Sequence, residues 1–412
     1  MAAVTSRSVL SVRPRFLDRF ACLAASCPDH CCRGWAIDID ARTRRRFRTL
    51  DDPAWRRRFR EETTQLRGRN GPRHVIRLRE DGTCPFLEEG LCAIHKRFGP
   101  AALPETCRVF PRKFEVAEGL VVATGSLACT EIARDVVVNA DALVEVASGD
   151  PFAPMLADST SLRARPGVLG PWQRLMLRRT MLAVLGDPQK PWGGRIALLL
   201  ILLEEAARAI ADGSDMERVC LDVEAVLRGE ELAAVEAAFG DTRARFAACT
   251  APLLRLFLAH LERQTACGEV ATYLLNLAER LAVRGEDGGD PVHRYLEHGC
   301  HELDRLLAAR PYLAGNVLAA LLLQEQVPAQ RLEGYWDGVW HAAFAWALWR
   351  FVVAAWLEEA HGSSETALET AAATLYRLGR YLSHCPHLLE ECRESYRRAG
   401  LLQLSTLAVL LR

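Results

Sequence analysis

The run Cys22-Leu-Ala-Ala-Ser-Cys27-Pro-Asp-His-Cys31-Cys32-Arg-Gly34-Trp35-Ala-Ile37-Asp-Ile39-Asp40 decides how the chain is read. Four cysteines crowd one short loop, and an alternating apolar stretch follows. Thiolate sulfur is a soft ligand, suited to zinc and to iron–sulfur clusters. A free cysteine is ordinarily a single buried core residue, and adjacent Cys31 and Cys32 with Cys22 and Cys27 just before them do not fit that role. Outward from this loop come Cys84-x7-Cys92-x14-Cys107 and then Cys129. Sites of this kind take four ligands. The eight front cysteines allow two four-ligand shells, or one shell plus several buried thiols. Spacing alone leaves zinc and iron–sulfur equally open. The CxxxCxxC loop of radical enzymes is missing, because Gly34 occupies its last position. The other cysteines, Cys220, Cys249, Cys267, Cys300, Cys385 and Cys392, stand singly among helical patterns and read as core.

The chain has 412 residues, half of them apolar and 25% charged, which excludes disordered and collagen-like classes. Acidic and basic residues balance at 52 each. The balance hides an asymmetry. Residues 1–135 carry 25 Lys and Arg against 17 Asp and Glu, a net of +8, and the remainder carries the opposite. The N-terminus has no apolar signal-peptide core. The longest apolar tract, Ala342–Leu357, holds Arg350 in its middle and is short of the ~20 residues a span requires. These features point to a cytoplasmic protein without a membrane span, where thiols stay reduced and clustered cysteines suggest metal before disulfides.

The fold class that follows is mostly α. A small cysteine-rich α+β module occupies residues 1–135, a linker or long loop residues 136–170, and a large all-α domain residues 171–412. In the module, Trp35–Asp40 and His74–Arg79 alternate as strands do, and Lys113–Val116 with Leu120–Thr124 form a hairpin around Gly119. Ala41–Arg60 has the period of a helix. Behind residue 170, nine segments carry apolar residues at three- and four-residue steps. They are Trp172–Leu185, Gly194–Ala211, Met216–Leu227, Leu232–Arg263 (broken near Gly240), Val270–Val283, Val292–Ala309, Ala314–Gln324, Tyr335–His361 and Glu365–Ser383.

The front residues resemble a known family. Phe20-Ala-Cys22 and the run from Cys27 to Asp40 are similar to the opening of the flagellin lysine-N-methylases. So are Cys84-Pro85-Phe86-Leu87 through Gly90-Leu91-Cys92-Ala-Ile94, Thr106-Cys107-Arg108-Val-Phe110-Pro111-Arg112, and Ser126-Leu127-Ala-Cys129-Thr-Glu131. Leu332-Glu333-Gly-Tyr335 resembles a later family segment more loosely. Thr130 and Gly334 depart from the family's usual proline and asparagine. The module is also similar to cysteine-rich proteins with CxxCxxCC-type chelating motifs. The resemblance implies an S-adenosylmethionine-dependent protein-lysine N-methyltransferase acting on flagellin. It also implies a [4Fe–4S] cluster on front cysteines among Cys22, Cys27, Cys31, Cys32, Cys84, Cys92, Cys107 and Cys129. The alternative is a zinc- or iron-binding structural protein without turnover.

Methyl transfer to lysine requires a neutral amine, so a site must desolvate the side chain or supply a base. No residue stands out as that base. Glu131 and Asp38 are on offer, each first read as an ordinary hydrogen-bonded carboxylate. Arg108 and Arg112 are candidates to bind the carboxylate of the methyl donor or to balance a cluster's charge. No strand–GxGxxG–helix unit announces a donor site, which leaves the cluster's surroundings or a cleft between the halves. The basic stretch Arg44–Arg60 has apolar residues at helical spacing, and reads as a solvated helix face before a nucleic-acid site. The tryptophans from Trp336 to Trp356 read as core.

Overall fold

The computed structural model describes residues 10–35, 37–68, 71–117, 119–149, 151–156, 169–229, 232–238, 243–263, 273–274, 276, 291–297, 301–328, 332–357 and 364–412. The expected class is borne out: small sheets lie in the front part, and helices make up the rest.

Eight strands are described: β1 Leu10–Pro14, β2 Thr63–Gly68, β3 Gly71–Ile76, β4 Leu87–Glu88, β5 Leu91–Cys92, β6 Arg112–Ala117, β7 Leu120–Gly125 and β8 Glu145–Ser148. Four of them form one sheet in the order β6-β7-β1-β8. The hairpin expected around Gly119 is present, with Phe114 opposite Ala123 and Gly119 at φ 71°. That left-handed conformation is cheap only for glycine. β1 joins β7 in parallel, Val12 opposite Val122, and β8 in the antiparallel sense, Val12 opposite Ala147.

Trp35–Asp40 keeps its alternation, since Ile37 and Ile39 are buried. It does not become a ladder strand. Only single bridges form, Arg33 to Thr83 and Asp38 to Val75; on the edge of β3 away from β2, the Ile39 N–H donates to the His74 carbonyl and the Ile76 N–H to the Ile37 carbonyl. Ala41–Arg60 becomes two helices, Ala41–Arg48 and Pro53–Glu61. Asp52 is the reason: its carboxylate accepts the Ala54 and Trp55 N–H groups, with Pro53 in the first helical turn. The break folds Phe47 onto Phe59, ring centroids 3.5 Å apart.

In the back half the helices are Pro171–Gly186, Trp192–Asp212, Met216–Arg228, Leu232–Ala238, Arg243–Arg263, Pro291–Glu297, His301–Ala309, Tyr312–Gln324, Leu332–Leu357, Ser364–His384, Pro386–Arg398 and Leu404–Leu411. The last two were not anticipated. Val270–Val283 lies almost wholly outside the described residues, as do Cys267, Cys300, the break near Gly240 and most of the 149–170 loop. Gly334–Leu357 is long and apolar enough to cross a membrane, yet nearly all of it is packed inside the protein. Trp346 and Trp349 are fully buried there, and Arg350 lies over the Trp346 and Phe246 rings.

Packing divides the chain elsewhere than composition does. Ile37, Phe47, Phe59, Ile76, Phe86 and Ile94 close a small core of their own. Phe16, Val121 and Val136 of the front part belong to the large core, which runs on to Leu411. The sheet and the Thr130–Val138 helix are therefore built onto the helical body, and the small core closes separately. The body meets the front part closely at Gly379, where an added Cβ would sit 2.9 Å from the Leu127 Cβ and 3.1 Å from its backbone carbonyl. Leu127 is buried and cannot yield freely. Gly379→Ala is expected to destabilise the fold by roughly 1–3 kcal/mol. Urea unfolding measures it, and an unchanged midpoint would mean that the helix can slide.

Candidate functional site: the cysteine cavity

Each front cysteine reaches the site on a different local device. Cys22, Cys27, Cys31 and Cys32 ride the loop before Gly34, which turns at φ 79°. The loop is tied to the Cys84 turn by the Cys84 N–H to the Cys32 carbonyl, 2.8 Å, and by the Gly34 N–H to the Gly82 carbonyl, 2.9 Å. The Trp35 indole N–H donates to the Cys31 carbonyl at 2.5 Å. Cys92 immediately precedes the Ala93–Phe98 helix, Cys107 lies in the Glu105–Val109 helix, and Cys129 immediately precedes Thr130–Val138. All eight line one cavity of about 420 Å³. All are free thiols: Cys84 is buried, Cys22 and Cys31 are exposed, and the rest are half-buried.

The sulfurs feel one another. Cys32 and Cys31 are hydrogen-bonded, which holds the Cys31 thiol down at about 7 against burial, with Arg380 helping; the same bond and burial push Cys32 far up. Burial pushes Cys84 up to about 11 and Cys129 up to about 12, and it raises Cys92 and Cys107. Backbone N–H groups work the other way. Those of Ile94 and His95 face Cys92, and those of Glu131 and Ile132 face Cys129. Such donors favour thiolate. Cys27 is held differently, with its thiol donating to the Asp29 carbonyl at 3.2 Å and its sulfur 3.5 Å from the Thr130 hydroxyl.

These donors suit a thiolate-bound metal by type and by location. Among the described residues, however, no three His, Cys, Asp or Glu side chains already converge to grip an ion. The expectation of Cys31 as the low-pKa thiol has a direct check in metal-free protein. Its alkylation by iodoacetamide should rise through a midpoint near pH 7, while Cys32 stays protonated and slow. Peptide mass mapping across pH reads both, and equal rates at the two positions would contradict the assignment.

Arg108, Arg112 and Glu131 also line the cavity. Asp38 does not; it pairs with Arg73 at 2.5 Å on the surface, as its ordinary reading holds. Arg112 sits over the Phe20 ring, 4.9 Å from its centroid, and burial lowers its pKa. The basic stretch is largely a solvated face, with Arg45, Arg48, Arg56, Arg57 and Arg60 exposed, and some of its members make local contacts. Arg58 pairs with Glu88 and lies over Trp55, and Arg46 donates to the Ala101 carbonyl.

Two residues that the sequence did not single out hold the cysteine loop from outside the cavity. Arg380, from the Ser364–His384 helix, is buried and pairs with Asp29 at 2.5 Å. Its other terminal nitrogen donates to the Arg33 carbonyl, so it holds the cysteine loop on both sides of Cys31 and Cys32. His384 stacks on Trp35 at 6.0 Å; burial and then Arg380 pull it down to about 4, which keeps its ring neutral at physiological pH. Neither carries a local motif that could have found it.

A family model described as the FliB lysine N-methylase C-terminal domain matches residues 178–410, more than half of the chain. A lysine-N-methylase of Salmonella typhimurium is 32% identical over 139 residues, 33% of this chain and 35% of that protein. A lysine-N-methylase of Salmonella choleraesuis matches with the same figures. The flagellar biosynthetic protein FliU of Salmonella muenchen is also 32% identical over 139 residues, which cover 82% of that protein. The chain thus spans about a third of the length of the two methylases it matches. No solved structure matches it. With residues 178–410, more than half of its length, matched by that model, the chain belongs to the FliB lysine N-methylase family.

Proposed function

We propose that the protein is an S-adenosylmethionine-dependent lysine N-methyltransferase acting on flagellin in the cytoplasm. Its front cysteines would hold a [4Fe–4S] cluster. The observation that carries this reading is the convergence of eight free thiols on one cavity in a chain of the lysine N-methylase family. The cavity has apolar walls, including Phe20, Leu23, Ile37 and Phe86. Such walls disfavour an ammonium and favour the neutral amine that methylation requires. Glu131 lines the same cavity and is the carboxylate placed to take a proton from an entering lysine. The donor set would be drawn from Cys22, Cys27, Cys31, Cys32, Cys84, Cys92, Cys107 and Cys129. A bound cluster would supply one-electron chemistry at the cavity.

Anaerobic purification with iron, sulfide and zinc analysis tests the metal. Four irons with matching sulfide and a brown colour are expected. Zinc in a colourless protein would remove the cluster and leave a zinc-binding reading. Flagellin incubated with loaded enzyme and donor, then digested and weighed, tests the activity. Added methyl mass on lysine is expected, and none with a full cluster would leave a structural metalloprotein.

A further inference from the structure

We propose that a second cavity, between the cysteine module and the Ser364–His384 helix, binds the methyl donor, with Arg112 gripping its carboxylate and Trp35 facing its sulfonium. The inference rests on the methyl-transfer reading above and assigns it a place.

This cavity is about 350 Å³. That is the small end of the range for ligand sites, roughly 300–1,000 Å³, and suits a small molecule better than a polypeptide. Its walls come from both halves: Trp35, Arg112 and Lys113 in front, and Arg380, Ser383 and His384 behind. None of its lining residues is acidic. Three of its basic groups are occupied or neutral. Arg380 is bound to Asp29, Lys113 donates to the Gln324 carbonyl at 3.1 Å, and His384 stacks on Trp35. Arg112 is different. Its Nε is buried and has no hydrogen-bond partner among the described residues. A buried guanidinium donor with nothing to bind is costly, and a planar carboxylate is the group that satisfies it best.

The rest of the donor follows from geometry. Cys31, Trp35, Phe110, Pro111, Arg112 and Ala128 line both cavities, so the two adjoin along these residues. A ligand anchored at Arg112 lies at that junction, next to the thiols, where its methyl group can meet an amine entering from the other side. Trp35 is fixed there by its indole hydrogen bond to Cys31 and by the His384 stack. The face of a fixed indole attracts a poorly hydrated cation such as a sulfonium. The thiol cavity, which carries Asp29 and Glu131, is left for the amine. Charge thus separates a carboxylate-bearing donor from a basic acceptor.

The test is direct binding to the anaerobically prepared, metal-loaded protein, by calorimetry. The probes are S-adenosylhomocysteine, S-adenosylmethionine, methylthioadenosine (which lacks the carboxylate) and inorganic phosphate. Arg112→Gln should weaken S-adenosylhomocysteine roughly 10- to 100-fold and leave methylthioadenosine unchanged. Arg112→Lys should restore part of the loss. Trp35→Leu should weaken S-adenosylmethionine more than its neutral-sulfur product. Unchanged affinity in Arg112→Gln, equal loss of both nucleosides, or no nucleoside binding by the parent protein would overturn the proposal. Phosphate binding as tight as S-adenosylhomocysteine, and equally dependent on Arg112, would also overturn it by assigning the cavity to an inorganic anion. Flagellin methylation is scored separately. Methylation with Arg112-independent donor affinity sinks this inference alone, and Arg112-dependent binding without methylation sinks only the flagellin reading.

Discussion

Arg380→Met will cost the fold about 3 kcal/mol or more and will loosen the cysteine loop from the helical body. The residue is 5% exposed, and its partner Asp29 has a side chain only 19% exposed. Removing one member of a buried pair leaves the other charged and unpaired, which is why the loss exceeds what an exposed pair would show. The Arg33 carbonyl loses its donor as well. Lysine at 380 keeps the charge but not the fork that reaches both acceptors, so Arg380→Lys should fall between the two. Urea unfolding gives the stabilities. A second readout separates position from general weakening. Arg380 is one of the groups that hold Cys31 near 7. Positive charge favours thiolate, so its removal must move the Cys31 alkylation midpoint upward in metal-free protein. A normal midpoint in Arg380→Met would show that the arginine is a strut and does not tune the thiol.

The second large effect concerns which thiols matter together. Cys107 feels charge on Cys84, Cys31 and Cys92, and Cys32 responds to Cys31, Cys84 and Cys107. Cys129 responds to Cys31 and Cys27, while Arg112 faces Cys129 and Cys22. By these mutual charge effects Cys31, Cys32, Cys84, Cys92 and Cys107 form one set, to which Cys129 and Cys27 are linked through Cys31, and Cys22 is linked only through Arg112. Serine in that set is a hard ligand where a soft one is wanted. On the proposed cluster reading, Cys32→Ser, Cys84→Ser and Cys107→Ser should each lower bound iron by tenfold or more, with any methylation lost in proportion. Cys22→Ser should retain most of the iron. Iron per protein and the visible absorption band decide the matter, and a Cys22→Ser protein as empty as Cys107→Ser would bring Cys22 into the set.

The cysteine set was legible because its signal is local. Adjacent Cys31 and Cys32 after two nearer cysteines are improbable as core thiols, whatever the fold. The helices were legible for the same kind of reason, since apolar period and Gly or Pro stops are properties of short windows. Where a capping side chain competed with the period, the period misled: Asp52 and Pro53 divide what reads as one helix. Pro386–Arg398 escaped because Cys385-Pro386 reads as punctuation, whereas the proline lies in that helix's first turn.

The sequence by itself determined the fold class, and it offered the eight thiols, Arg108 and Arg112 as candidates, because composition, periodicity and ligand chemistry are written in neighbouring residues. It did not reveal that Arg380 and His384 pack against the cysteine loop. Arg380 and Asp29 are 351 positions apart, and only packing brings them to 2.5 Å. Nor did it reveal two cavities on one wall, or a large core that takes up the front sheet. Those are decided by which surfaces the helices bury against one another, and burial of apolar area has no address in the sequence. A cluster site can therefore be suspected from twenty residues, while the residues that aim it come from wherever the core places them.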